Sequence, residues 1–189
     1  TVCGQQFARK FDIVQNDPPA FVSYASDHER FDALMRHSAE GSASGHMAGY
    51  KVLARYYLNN QLDDYDYELL DQVIEKIEQR IDCSDFGLAC LFRIYKQIPI
   101  KEEYKQKIKQ LALGFRYWMD EDGADAMCFW SENHSLLFFT CQMLAGSFWP
   151  EDWFKRANRF GIDQYRTGLR RVNEWFDVIE QEGYEEFLP

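Results

Sequence analysis

The pattern that most constrains this chain is an alternation between two kinds of helical segment. Tyr50, Val52, Leu53, Ala54, Tyr56, Tyr57 and Leu58 make one helix apolar on most sides, and Phe86–Tyr95 (FGLACLFRIY) and Leu136–Ala145 (LLFFTCQMLA) are apolar nearly all round. Between them, residues 64–81 carry Tyr67, Leu70, Val73, Ile74, Ile77 and Ile81 at helical spacing with acids interspersed. Residues 101–118 are amphipathic as well, and 163–182 set Tyr165, Leu169, Val172, Trp175, Phe176 and Ile179 on one side. A helix apolar on every face has to be covered on every face, whereas an amphipathic one covers its neighbour and meets water with its other side. The alternation therefore predicts an all-α fold of antiparallel helical hairpins in two layers, with an inner row of buried helices backed by an outer row. An irregular helical bundle is the alternative. No stretch shows the two-residue alternation bounded by hairpin turns that a sheet requires.

The remaining sequence completes this outline. Residues 1–25, with Asp17-Pro18-Pro19, read as an irregular arm, and a helix is expected near Ser26–His37. Glu40–Met47 is flexible in composition and leads straight into the first apolar helix. The expectation is an arm over 1–25 and one helical-hairpin domain over 26–189. A chain of 189 residues, 46% hydrophobic with 15 Phe, 11 Tyr and 5 Trp, buries a sizeable core and is not intrinsically disordered. Its net charge of −10 excludes a general nucleic-acid or anionic-membrane binder. Membrane insertion is not expected either, because no apolar run approaches the ~18 residues a spanning helix needs. The cysteines, Cys3, Cys83, Cys90, Cys128 and Cys141, are odd in number and lack a CxxC, so neither a disulfide framework nor a metal site is indicated. No cofactor is expected. Free thiols favour a reducing compartment slightly.

Layered hairpins bring the starts of the inner helices to one rim. Helix N-termini offer unpaired N–H groups and a positive dipole end, which suit oxygen-rich ligands. Polar residues cluster at those starts: Ser44-Gly45-His46 before the first, Ser84-Asp85 at the second, and Ser131-Glu132-Asn133-His134-Ser135 at the third. Capping accounts for Ser84, Ser131 and Asp85, and the helix dipole for Glu132. It accounts less well for Asn133 and for His134, which enters the most apolar helix of the chain and needs either a partner or a cavity. Trp130, ending the long loop upstream, serves equally to stack on a sugar face or to close a core.

Asn133-His134-Ser135 opens an apolar helix. Then come an Asp152-Trp153-Phe154 turn, a helix with Val172-Asn173-Glu174-Trp175, and Glu182-Gly183-Tyr184…Phe187-Leu188-Pro189. This succession resembles part of the alginate-lyase-like polysaccharide lyases and, more broadly, the (α/α) toroid, six-hairpin glycosidases and lyases. The resemblance spans roughly the C-terminal third. It implies a section of a larger toroid, a secreted or periplasmic setting, Asn133 as clamp for a uronate carboxylate and His134 as the proton-transfer residue of β-elimination. Glu132 stands where that family has a neutral amide, and the family's catalytic tyrosine lies beyond the Phe-Leu-Pro element, so the 189 residues alone are expected to be weakly active or inactive. A carboxylate at Glu132 beside His134, with Asp85 or Asp125 as a second acid, is compatible with acid–base work on a neutral glycoside instead.

Two functions follow as expectations. One is a carbohydrate-active protein, lyase-like or glycoside-hydrolase-like. Its catalytic candidates are His134, Asn133 and Glu132, its substrate-binding candidates Trp130, His46 and Asp85, and its partner an oligo- or polysaccharide. The other is a non-catalytic helical repeat module that binds a partner on its concave face. An incomplete ring of hairpins leaves an apolar flank exposed, through which self-association is expected.

Overall fold

The computed structural model describes residues 23–125, 127–184 and 186. The arm expected over 1–25 therefore lies, apart from its last three residues, outside the described residues, as do Cys3 and the Phe187-Leu188-Pro189 element. The described chain is all-α, with helices α1 (Asp27–Glu40), α2 (Met47–Asn59), α3 (Asp64–Glu78), α4 (Ser84–Gln97), α5 (Glu102–Gly114), α6 (Glu132–Phe148) and α7 (Gly161–Glu182). A two-residue antiparallel ribbon, β1 (Trp153–Phe154) with β2 (Arg159–Phe160), joins α6 to α7.

Local chemistry explains the helix ends. Ser26 caps α1 by accepting the Glu29 N–H at 3.2 Å. Asp63 and Asp66 form a reciprocal capping box at the start of α3, each carboxylate accepting the other's backbone N–H at 3.1 and 3.0 Å. Asn60, at φ 53°, ends α2 in the left-handed region that asparagine tolerates. Ser84 departs from the capping role expected of it. Cys83, in a left-handed conformation, precedes the helix, and the Ser84 hydroxyl turns back to the carbonyls of Ile81 in the connection and Lys76 in the last turn of α3.

Packing follows the two-layer scheme. Helices α2, α4 and α6 touch in that order and form one row, α3 packs on α5 behind them, α1 lies on α2, and α7 lies along α6. The core runs through Val52, Leu70, Val73, Leu91, Ile108 and Phe138, all 0% exposed. Arg55 of α2 bridges the capping-box acids of α3, 2.5 Å from the buried Asp66 and 2.7 Å from Asp63.

The inner row is less uniformly covered than its sequence implies. Helix α4, flanked on both sides by α2 and α6, is buried along most of its length. Helix α3, expected to be the more exposed, buries Leu69, Leu70, Val73, Ile74 and Ile77, as extensively as α2 buries its own face. Helix α6 buries His134, Phe138, Cys141, Gln142, Ala145 and Gly146, while Leu136, Leu137, Phe139 and Leu144 stay half-buried. It is the last helix of the row, so α4 and α7 cover only part of an all-apolar surface.

The α6–α7 contact departs furthest from the sequence expectation. The residues α7 buries are Gly161, Gln164, Gly168 and Arg171, not the stripe of Tyr165, Leu169, Val172 and Phe176. Gly146 and Gly168 allow the close approach: a Cβ on Gly146 would sit 2.2 Å from the Tyr165 backbone nitrogen, and one on Gly168 2.4 Å from that of Met143. Two helix backbones this close leave no room for larger side chains, so small and polar residues form the seam.

Candidate functional site

Three helix starts carry the site. His46 immediately precedes α2, Asp85 is the second residue of α4, and His134 is the third of α6. Because α2, α4 and α6 lie side by side, their first turns meet at one end of the row. There His134 Nδ1 lies 2.8 Å from Asp85 Oδ2, in a buried contact between residues far apart in sequence. The Phe86 ring stands edge-on to His134 at 5.2 Å and faces His46 at 5.7 Å, so one aromatic ring separates two histidines. On the far side of His46, Lys76 Nζ donates to its Nδ1 at 3.4 Å.

The two histidines sit in different surroundings. Burial and the Lys76 charge both hold His46 below the usual histidine value, so it is neutral at pH 7. Asp85 is 0% exposed, and burial pushes its carboxyl above the usual range while the neighbouring His134 works against that shift. Its Oδ1 has no hydrogen-bond partner, which among the buried side-chain polar atoms of the described residues is true otherwise only of Asp125 Oδ2. The His134 side chain keeps 11% of its surface exposed. With Nδ1 held by a carboxylate, the neutral imidazole carries its proton there, and Nε2 is the lone-pair nitrogen left to the rim. A buried carboxylate, an oriented histidine and a second nitrogen outside that bond are the components of general-base chemistry.

The other candidates are placed less directly for chemistry. Asn133 Oδ1 accepts the His134 N–H at 2.6 Å and the Ser131 hydroxyl at 2.8 Å, so its carbonyl is spent on the first turn of α6. Ser131 holds the cap position without a side-chain bond to the helix N–H groups. Glu132 Oε2 accepts the Glu186 N–H at 2.8 Å, and Glu186 Oε2 accepts that of Asn133 at 2.9 Å, a mutual clasp between the start of α6 and the end of the described chain. Trp130 is 80% exposed, which removes it from the core. Asp125 is turned to Arg80 at 3.2 Å and Arg116 at 4.0 Å, away from its suggested role as second acid. The rim thus unites His46, Asp85 and His134, with Asn133 and Glu132 beside them and Trp130 on the adjoining loop.

Two features were not anticipated. Glu186 gives no signal because its partners lie far upstream. Behind α6, Glu121 accepts from the Tyr117 N–H at 2.8 Å, Gln164 Nε2 at 2.7 Å and Gln142 Nε2 at 3.1 Å. Arg171 extends this network, donating to Gln142 at 2.9 Å and to Asp120 at 2.7 Å. The one sequence hint was Gln142, a lone amide inside LLFFTCQMLA. Burial holds the Glu121 carboxyl above its usual range, and donors from the loop, α6 and α7 converge on it, so the network locks the 115–125 loop against α6 and α7.

A groove of about 650 Å³ between α3 and α5, lined by Arg80, Lys107, Gln110 and Phe115, takes in none of the rim residues. Its basic groups already pair, Arg80 with Asp125 and Lys107 with Asp71 at 2.9 Å, so the dyad carries the stronger chemical argument. Among the described residues no group of three or more His, Cys, Asp or Glu could hold a metal ion, and no helix is long and apolar enough to cross a membrane. Comparison with protein families, with curated proteins and with solved structures finds no match for the chain.

Proposed function

We infer that the rim formed by the starts of α2, α4 and α6 is a proton-transfer site acting on an oligosaccharide, with His134 as the base and Asp85 as its orienting partner. The observation that carries this reading is the buried 2.8 Å contact between His134 Nδ1 and Asp85 Oδ2, which leaves Nε2 toward the rim. Supporting it are three helix N-termini at one end of a row, an arrangement suited to hydroxyl-rich ligands, and Trp130, whose exposed ring offers a stacking face. On a uronate, Nε2 would take the proton from the carbon next to the carboxylate while the bond to the glycosidic oxygen breaks, which is elimination. On a neutral sugar it would take a proton from a water whose oxygen bonds to the anomeric carbon as the glycosidic oxygen leaves, which is hydrolysis. In both, the imidazolium returns the proton to the leaving oxygen. Glu132 and Glu186 add negative charge beside Asn133, which disfavours a uronate and favours a neutral sugar.

The test is turnover on neutral and uronate oligosaccharides, followed by unsaturated-product absorbance and by reducing ends, for the protein and for His134→Ala and Asp85→Asn. Loss of the base removes about 10²–10⁴-fold of rate, and Asp85→Asn lowers kcat while KM holds. Calorimetric titration compares the protein with Trp130→Ala, which binds the sugar more weakly. Turnover unaffected by His134→Ala, or binding unaffected by Trp130→Ala, removes the site as drawn. A second reading, a helical module that binds a protein partner, is favoured by one observation: the open apolar face of α7.

A further inference from the structure

Helix α7 has an apolar stripe that its own fold does not use. Ile162, Tyr165, Leu169, Val172, Phe176 and Ile179 recur at three- and four-residue steps along its 22 residues, a helix roughly 33 Å long. Ile162 is 40% exposed, Leu169 36% and Phe176 50%, and Tyr165, Val172 and Ile179 are only half-buried. The buried seam of Gly161, Gln164, Gly168 and Arg171 is displaced by one residue, about 100° around the helix. Rolling α7 to bury the stripe is not open to it. The glycine contacts with Gly146 and Met143 and the bonds of Gln164 and Arg171 fix its rotation.

We propose that this stripe is the contact face of a two-fold dimer, in which α7 lies antiparallel along α7 of a second copy. The charges beside the stripe select that partner and direction. Arg166, Asn173 and Glu180 follow one another at heptad spacing along the flank away from the glycine seam. An antiparallel pair sets Arg166 against Glu180 of the partner subunit, twice, about an axis near Asn173. In a parallel pair this flank lies beside the partner's opposite flank, so Arg166 and Glu180 do not meet. Among the described residues Arg166 is otherwise engaged only by the exposed Asp163 at 3.1 Å, a contact it exchanges at little cost. Both copies present the same stripe to the axis, so the interface is isologous and closes at two. This proposal is independent of the rim's chemistry, because the stripe and the dyad use different residues.

Sedimentation velocity and light scattering on the 189-residue chain, over a wide concentration range, test it. The expected result is a monomer–dimer equilibrium. Leu169→Glu and Phe176→Glu, both at exposed positions, abolish the dimer while circular dichroism stays unchanged. Arg166→Glu weakens it about tenfold, the order expected for losing flanking pairs, and adding Glu180→Arg restores it. Three outcomes overturn the proposal: a monomer at all concentrations, as when a helix of a longer chain is the true cover; a dimer indifferent to the α7 substitutions; or a charge reversal that the second substitution fails to rescue.

Discussion

Replacing Gly168 by alanine probes the seam that fixes α7. The new Cβ would lie 2.4 Å from the Met143 nitrogen and 2.7 Å from its Cα, where ordinary contact begins at 3.4 Å. The obstacle is backbone, so no rotamer change relieves it, and α6 and α7 must part by roughly 1 Å at that turn. Overpacking of this kind costs about 1–3 kcal/mol. The movement also stretches the bonds that cross the seam, Arg171 to Gln142 at 2.9 Å and Gln142 to Gln164 at 3.1 Å, and through Gln164 the 2.7 Å bond to Glu121. Losing one hydrogen bond to a charged group adds about 1.5–3 kcal/mol. Alanine returns about 1 kcal/mol through its better helix propensity. The net loss is about 1.5–5 kcal/mol, centred near 3, and for a domain of this size it lowers Tm by about 6–12 °C. Thermal and urea denaturation followed by circular dichroism read this out. Gly114→Ala is the control, because nothing lies within 4 Å of its Cβ position, and its Tm should stay level or rise slightly. A Gly168→Ala protein as stable as the unmodified one would refute the close-packed seam and the fixed rotation of α7.

Glu121→Ala removes the acceptor of Tyr117 N–H, Gln142 and Gln164 together, and urea denaturation should register a loss of about 3–5 kcal/mol. Asp85 has its folded pKa raised by burial, so its contribution to stability is fully present below the usual carboxylate value of 3.8 and declines as pH rises through the folded value. The urea midpoint of the unmodified protein relative to Asp85→Asn should therefore fall between acidic pH and neutrality, and a relative rise would reverse the sign of the argument. Trp130→Ala, at 80% exposure, should leave Tm within the scatter of surface substitutions while weakening oligosaccharide binding. A clear drop in Tm would return Trp130 to the core.

Periodicity made the helices legible, and their ends differ from the expected ones mainly where capping chemistry decides, as at Ser84. Layering made the rim legible too: once α2, α4 and α6 form a row, His46, Asp85 and His134 have to meet. What periodicity does not encode is which partner covers a face. The α7 stripe is an obvious apolar pattern, yet α7 meets α6 through Gly161, Gly168, Gln164 and Arg171, because interhelical distance, set by glycine, outweighed apolar area. The Glu121 network was opaque for another reason. Its members come from a loop and two helices with no common spacing, and isolated Gln and Glu residues resemble surface residues until the fold encloses them. The Asn133 carbonyl accepts within the first turn of its own helix, a local bond that periodicity does not encode.

The central claim is that Asp85 holds His134 so that Nε2 serves as a base at the rim. Long-range ¹H–¹⁵N spectra of the imidazole, recorded with and without neutral and uronate oligosaccharides, test it most directly. The account predicts that the neutral tautomer carries its proton on Nδ1, bonded to Asp85, and that the Nε2 shift moves when a neutral sugar binds. In Asp85→Asn the tautomer preference should be lost. A neutral tautomer protonated on Nε2 in the unmodified protein, or a His134 whose nitrogen shifts respond to none of the sugars, would contradict it.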